Sequence, residues 1–203
     1  MKGRNLTLII IVGIVAILVF WSCGNYNGLV KQDETVKNSW NNVQSAYQRR
    51  ADLIPNLINV VRSEATFEQQ TLIQVVEARY KNLNSVKVDP SNLTTENIQK
   101  FQAAQGEMSS ALSRLMVVVE NYPTLQSNQG FHNLQAQLEG TENRINVARN
   151  YFNGAVNTYN TKARSFPTNI FAGMFGFKVR EGFKADEGAQ HAPTVPDNIM
   201  EKK

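Results

Sequence analysis

The chain of 203 residues is long enough for one domain with appendages. Its formal charge of +4 includes no block of like charges that would suit a phosphate backbone, so nucleic acid is not an expected partner. Asn and Gln together are about as frequent as all charged residues, which makes the solvated faces amide-rich, and the single Cys23 excludes an intrachain disulfide framework.

Lys2 and Arg4 precede an uncharged run, Leu6 to Trp21, of 16 residues. At ~1.5 Å per residue it falls slightly short of the ~30 Å bilayer core. We read residues 1–24 as an N-terminal membrane anchor, retained because no Ala-x-Ala cleavage pattern follows. Phe20-Trp21-Ser22-Cys23-Gly24 loosely resembles the lipobox of bacterial lipoproteins, with bulky Phe20 and Trp21 where Leu and a small residue are usual. Lipidation of Cys23 is therefore the alternative anchor. Basic residues before the run and Asp33 and Glu34 after it place the N-terminus inside. The rest of a single-pass protein of the cell membrane then lies outside the cytoplasm.

Beyond the anchor, Val36, Trp40, Val43, Tyr47, Arg50, Ile54, Leu57 and Val61 recur at alternating three- and four-residue steps, which predicts a first helix over 30–63. Leu72, Val76, Arg79 and Leu83 predict a shorter second helix over 67–84. Pro90 breaks the chain, and Thr94 or Thr95 can cap a third helix carrying Ile98, Phe101, Gln105, Met108, Leu112, Leu115, Val119 and Tyr122 up to Pro123. After "PTLQSNQG" a fourth and longest stripe runs from Phe131 through Leu134, Leu138, Thr141, Ile145, Ala148, Phe152, Ala155, Tyr159 and Ala163 to Phe166, ending at Pro167. No useful period-two alternation predicts a strand. The expected fold is all-α: an antiparallel up-down four-helix bundle over 25–167 behind one N-terminal membrane helix. A tail over 168–203 follows, apolar at first and then disordered.

The second helix, at ~27 Å, cannot match the first at ~51 Å, so the membrane-proximal flanks of helices one and four are expected to be less covered. The segment "NIFAGMFGF" leaves helix four at that place. Phe171, Met174, Phe175 and Phe177, followed by Lys178 and Arg180, either fold back onto the bundle or contact the membrane or a partner.

"YQRRADLIPNLI" sets two arginines, an aspartate and a proline in the middle of helix one. Counted from the distal ends of their helices, Arg50 and Glu142 share a level, with Arg79 and Glu107 close to it. These, with Arg49, Asp52, Glu139, Asn143 and Arg144, form an expected structural polar layer, whose paired guanidinium and carboxylate fix register more reliably than they add stability. Pro55 deprives the Ala51 carbonyl of its helical partner and should kink the helix just past the layer. Helical Glu139 and Glu142 are the only approach to a di-metal Glu-x-x-His pattern, and His132 and His191 are placed for neither a metal nor a nucleophile, so no metal, cofactor, small-molecule substrate or enzymatic activity is expected. Gly173 and Gly176 do not form a phosphate loop.

"GNYNGLVKQDETVKNSWNNVQSAYQRRADLIPNLINVVR", "LEGTENRINVARNYFNGAVNTYNTKARSFP" and "FGFKVREGFKADEGAQHAP" closely resemble the LemA family of bacterial membrane proteins. The resemblance covers nearly all of the chain after the anchor. It implies a helical bundle behind one N-terminal membrane helix, and it brings no molecular activity. It also implies an N-terminus outside, opposite to the charge pattern. Arg49, Arg50, Asp52, Pro55, Asn56, Glu139, Glu142, Asn143 and Arg144 match the family's motifs. The function expected is a membrane-anchored interaction or scaffolding module of the bacterial cell envelope with an unidentified protein partner. An enzyme with an unrecognised site in the bundle is the alternative.

Overall fold

The computed structural model describes residues 2–64, 67–85 and 87–184, and their side chains except at positions 2–9, 15, 18, 19, 84 and 85. Every regular element among them is a helix: α1 (Lys2–Arg62), α2 (Gln69–Ser85), α3 (Thr95–Val119), α4 (Pro123–Gln126), α5 (Gln129–Arg164) and α6 (Thr168–Met174). The all-α expectation therefore stands. The disordered stretch expected at the end of the tail falls on residues 185–203, outside the described ones.

α1 runs without a break from the apolar N-terminal stretch into the packed body. The boundary expected near Gly24 falls inside it, because Gly24, Asn25, Asn27 and Gly28 are poor helix formers without being breakers, each costing roughly 1 kcal/mol or less. At Gly28 a Cβ would lie 2.1 Å from Lys162 Nζ, so the missing side chain makes room for the end of that lysine. Among the described residues no helix is long and apolar enough to cross a membrane. The run from Leu6 to Trp21 lies partly outside the described side chains.

α1 lies along α5, and α2 lies against α3. Both pairs are antiparallel: Trp40 meets Phe152 while Arg50 meets Glu142 across the first, and Asn82 meets Gln105 while Gln74 meets Arg114 across the second. Thr94 and Asn128 cap α3 and α5, their side-chain oxygens accepting from the amides of Asn97 and Phe131. The connection expected as "PTLQSNQG" contains the short α4, with Pro123 at its start where a missing amide costs nothing.

The predicted stripes bury on α1, α3 and most of α5. On α2 the buried face is rotated by about one residue, to Thr71, Leu72, Val75, Ala78 and Asn82, because Asn82 turns toward Gln105 on α3. Phe166, expected at the end of the α5 stripe, is 80% exposed, since α5 stops at Arg164 and the chain turns at Pro167.

The core has two parts. One gathers Trp40, Tyr47, Phe101, Phe152 and Phe183, and the other gathers Ile54, Leu57, Val75, Met108, Leu115 and Phe131. The first lies beyond the reach of α2, as the length mismatch requires. The connection from α2 covers part of it, Val88 carbonyl accepting from Trp40 Nε1 at 3.3 Å and from Gln44 Nε2 at 2.8 Å. The tail closes the remainder. Residues 177–184 run back along α5 as an extended strap.

Two asparagines hold the strap as a neighbouring strand would. Asn160 accepts from the Arg180 amide at 2.9 Å and donates to its carbonyl at 2.8 Å; Asn153 does the same for Phe183 at 2.8 and 3.3 Å. The match is one of pitch. Seven helical residues rise ~10.5 Å, and three extended residues span ~10 Å. Phe183 then stacks on Trp40 with centroids 5.7 Å apart, beneath the Arg149 guanidinium 4.8 Å from its ring.

Phe183→Ala should lower folding stability by ~3 kcal/mol, the cost of emptying a core aromatic position, read from urea unfolding of the full chain in detergent. Truncation after Pro167 should cost at least as much. Unchanged midpoints in both would show that the strap is not part of the core.

Candidate functional site

Arg50 sits between the two halves of the core with 3% of its surface exposed. Its guanidinium donates to Glu142 Oε2 at 2.9 Å, Ser109 Oγ at 3.0 Å, and the side-chain and backbone oxygens of Gln105 at 2.8 and 3.3 Å. It also lies 5.0 Å from the centre of the Tyr47 ring, whose phenol burial pushes above its ordinary pKa. A buried guanidinium needs most of its donors filled, and two helices, α3 and α5, fill them here. The Gln105 oxygen also accepts from Asn82, which brings α2 into the layer, while the Gln105 amide nitrogen is buried without an acceptor among the described residues.

α1 passes through Pro55 as helix, and the carbonyl that Pro55 leaves open, that of Ala51, accepts from Arg79 Nε at 3.1 Å. Arg79 thus joins α2 to α1 at the level of Arg50. The proline and the second arginine solve one problem: an orphaned buried acceptor would cost about 1–3 kcal/mol.

The other residues expected in this layer lie on the surface. Glu107 pairs with Lys81, both more than half exposed, and Glu139 accepts from Gln135 at 3.1 Å. Arg49, Asp52, Asn143 and Arg144 are exposed as well. The reason is the turn of the helix: positions adjacent in sequence point ~100° apart, so Arg50 faces inward, half-exposed Glu142 reaches it from the edge of the seam, and their neighbours cannot do either. Gln105, Ser109 and Asn82 complete the layer instead; Gln105 stood in the predicted stripe, but an amide in an apolar series gave no sign of its partner.

Arg49, Asp52 and Arg144 instead line an open groove of about 920 Å³ between α1 and α5, with Asn42, Gln48 and Lys87. Asn143, Val147 and Tyr151 extend it along α5.

A third cluster lies where the tail meets α1. Phe171 packs edge-on to Trp21 with centroids at 5.4 Å, Phe175 and Phe177 pack on Tyr26 at 5.0 and 5.8 Å, and Thr168 bonds Asn25 at 3.0 Å. Arg180 pairs with Asp33 at 2.7 Å, and both are largely covered, so it faces inward and not toward head groups. Phe166, Ile170, Met174 and Lys178 remain exposed on this end. Cys23 is a free, exposed thiol on the same stretch of α1.

Arg50→Ala should destabilise by ~3–5 kcal/mol because it strips the layer of its centre. Glu142→Ala should cost ~1 kcal/mol, since that side chain is half in water. Their coupling energy, from a double-mutant cycle in urea, should be about 1 kcal/mol. A value of zero would mean that the contact carries no energy.

Comparison with known proteins gives these positions a context. The chain is 28% identical over 193 residues to the magnetosome protein MamQ 2 of Paramagnetospirillum magneticum, a match covering 87% of this chain and 71% of that protein. It is 27% identical to MamQ of Magnetospirillum gryphiswaldense with the same coverage. Protein LemA of Metamycoplasma hominis is 22% identical over 160 residues, 78% of this chain and 68% of that protein. The family model for LemA matches residues 39–196, which takes in α1 from Ser39 onward, every later helix and the strap. The chain belongs to the LemA family.

Proposed function

We propose that the protein is a membrane-attached interaction module of the cell envelope: an antiparallel bundle of four long helices carried on the N-terminal end of α1. The observation that carries this reading is the exposure of that end. Ile10, Ile11, Val12, Ile14, Ile17 and Phe20 are each at least half exposed on a helix whose burial begins only at Leu29. An apolar helical rod of this kind is unstable in water and suits a bilayer. The apolar run starts in the sequence at Leu6, before the first described side chain, and its small shortfall in length is of the kind that local thinning of the bilayer absorbs.

The exposed face at Phe166, Ile170 and Met174 supports a second, interfacial contact. Ile170 and Met174 are one turn apart on α6, the helix whose Phe171 packs on Trp21, and Lys178 follows it in the chain. The relatives named as magnetosome proteins also support association with a membrane. Lys2 and Arg4 place the bundle outside the cytoplasm. The module works by presenting surfaces, and its polar layer is engaged in holding the helices, Arg50 bonding Glu142 and Gln105 and Arg79 bonding the Ala51 carbonyl.

The full chain should remain with membranes after high-salt washing, and Ile14→Lys with Ile17→Lys should shift it toward the soluble fraction, since each lysine costs ~3 kcal/mol at a bilayer centre. Ile170→Asp with Met174→Asp should weaken binding to anionic vesicles without changing the unfolding midpoint. Protease added to spheroplasts should digest the bundle, and complete protection would reverse the orientation. Fatty-acid labelling that depends on Cys23 would replace the span with a lipid anchor. An unchanged membrane fraction in the double-lysine variant without such labelling would sink the reading.

A further inference from the structure

The groove between α1 and α5 holds cations that the fold leaves unused. Arg49, Lys87 and Arg144 line it, and none of the three makes an ion pair or hydrogen bond among the described residues. Carboxylates are close by in sequence, yet neither pairs with these cations. Asp52 accepts from Gln48 at 2.7 Å, and Glu142 accepts from the buried Arg50 at 2.9 Å. Asp52 is the one acid among the lining residues, so the concave surface carries net positive charge. Guanidinium groups are the side chains best shaped for paired bonds to carboxylates.

The groove continues past Arg144 to Val147, 53% exposed, and Tyr151, 77% exposed. Unpaired arginine beside a bare tyrosine is the composition of protein–protein interface centres. An open trough of this form does not enclose a small ligand, which binds where most of its surface can be covered. Position excludes head groups. Residues 42–52 of α1 lie roughly 30–45 Å along the helix from Trp21, well beyond the bilayer surface.

We propose that this groove docks an acidic segment of a partner protein, its carboxylates on Arg49, Lys87 and Arg144 and an apolar side chain against Val147 and Tyr151. The proposal rests on the reading of the chain as an interaction module held at the membrane by the N-terminal end of α1. Adjacent residues of one motif then have separate tasks, Arg50 holding the helices together and Arg49 holding the partner.

The test titrates the full chain in detergent with three fluorescein-labelled helical peptides of one length. The first carries glutamate and leucine at helical spacing, and the other two replace every glutamate with glutamine or lysine. The glutamate peptide should bind saturably and more weakly as salt is raised. Arg49→Glu with Arg144→Glu should weaken it roughly tenfold or more with the unfolding midpoint unchanged, while Tyr80→Asp on α2 should have no effect. Equal binding of all three peptides, no saturable binding, or indifference to the charge reversal would overturn the proposal. Displacement of the peptide by inorganic phosphate, or by phosphatidylglycerol vesicles, would overturn it in favour of a small anion or a lipid. A failed titration with membrane attachment intact removes this groove as the docking site and leaves the anchored module standing; lost attachment with the titration intact does the reverse.

Discussion

One buried positive charge organises this fold. Arg50 lies where apolar packing above and below leaves no water to solvate it, so the helices must supply its acceptors. α3 supplies Gln105 and Ser109, and α5 supplies Glu142. Each of these groups is reached only when its helix stands at one height and one rotation. Replacing such a centre by well-packed hydrophobes is often neutral or stabilising, so its value lies in register: a slip by one turn would leave the guanidinium without partners. Apolar stripes alone would tolerate that slip, because they repeat every turn.

The second constraint is length. α2 has 17 residues against the 36 of α5, so one half of the core has to be covered by something other than a helix. The chain uses its own backbone twice, first at Val88 and then along the strap from Phe177 to Lys184. An extended strap brings unpaired amides and carbonyls with it, which would be costly against an apolar surface. Asn153 and Asn160 remove that cost by offering the donor and acceptor pair that a second strand would offer. The abundance of asparagine, visible as a mere compositional bias, has here a definite structural use.

How far the sequence could be read follows from what repeats in it. The stripes on α1, α3 and α5 were legible because burial on a long helix is periodic, and the level shared by Arg50 and Glu142 followed from counting residues along helices of known rise. The rotation of α2 was not legible, since in 17 residues two neighbouring stripes, Leu72, Val76 and Leu83 or Leu72, Val75 and Ala78, are about equally apolar and Asn82 reaching Gln105 goes with the second. The strap was legible only as a place that needed covering. Its hydrogen bonds join side chains to a backbone, and a backbone leaves no trace in the residue types. Of the nine residues assigned to one layer, Arg50, Arg79 and Glu142 meet there and six do not, for a simple reason: a run such as Arg49-Arg50 or Glu142-Asn143-Arg144 cannot point all its members inward.

That failure also explains the shape of the motif. A residue pair on a helix divides by direction, one side chain to the interior and the next to the surface, and here both helices of the α1–α5 pair carry such a division at the same level. Arg50 and Glu142 close the interior, while Arg49 and Arg144 emerge together on the outer side of the same seam. This contact and the packing of Trp40 on Phe152 set the separation of the two helices and therefore the width of the groove between the exposed arginines. Movement of Glu142 away from Arg50 would open the groove and at the same time expose the layer that holds α3. Both walls of the groove are helices packed on one another, and cations carried on packed helices lose less entropy on docking than side chains placed on a loop would.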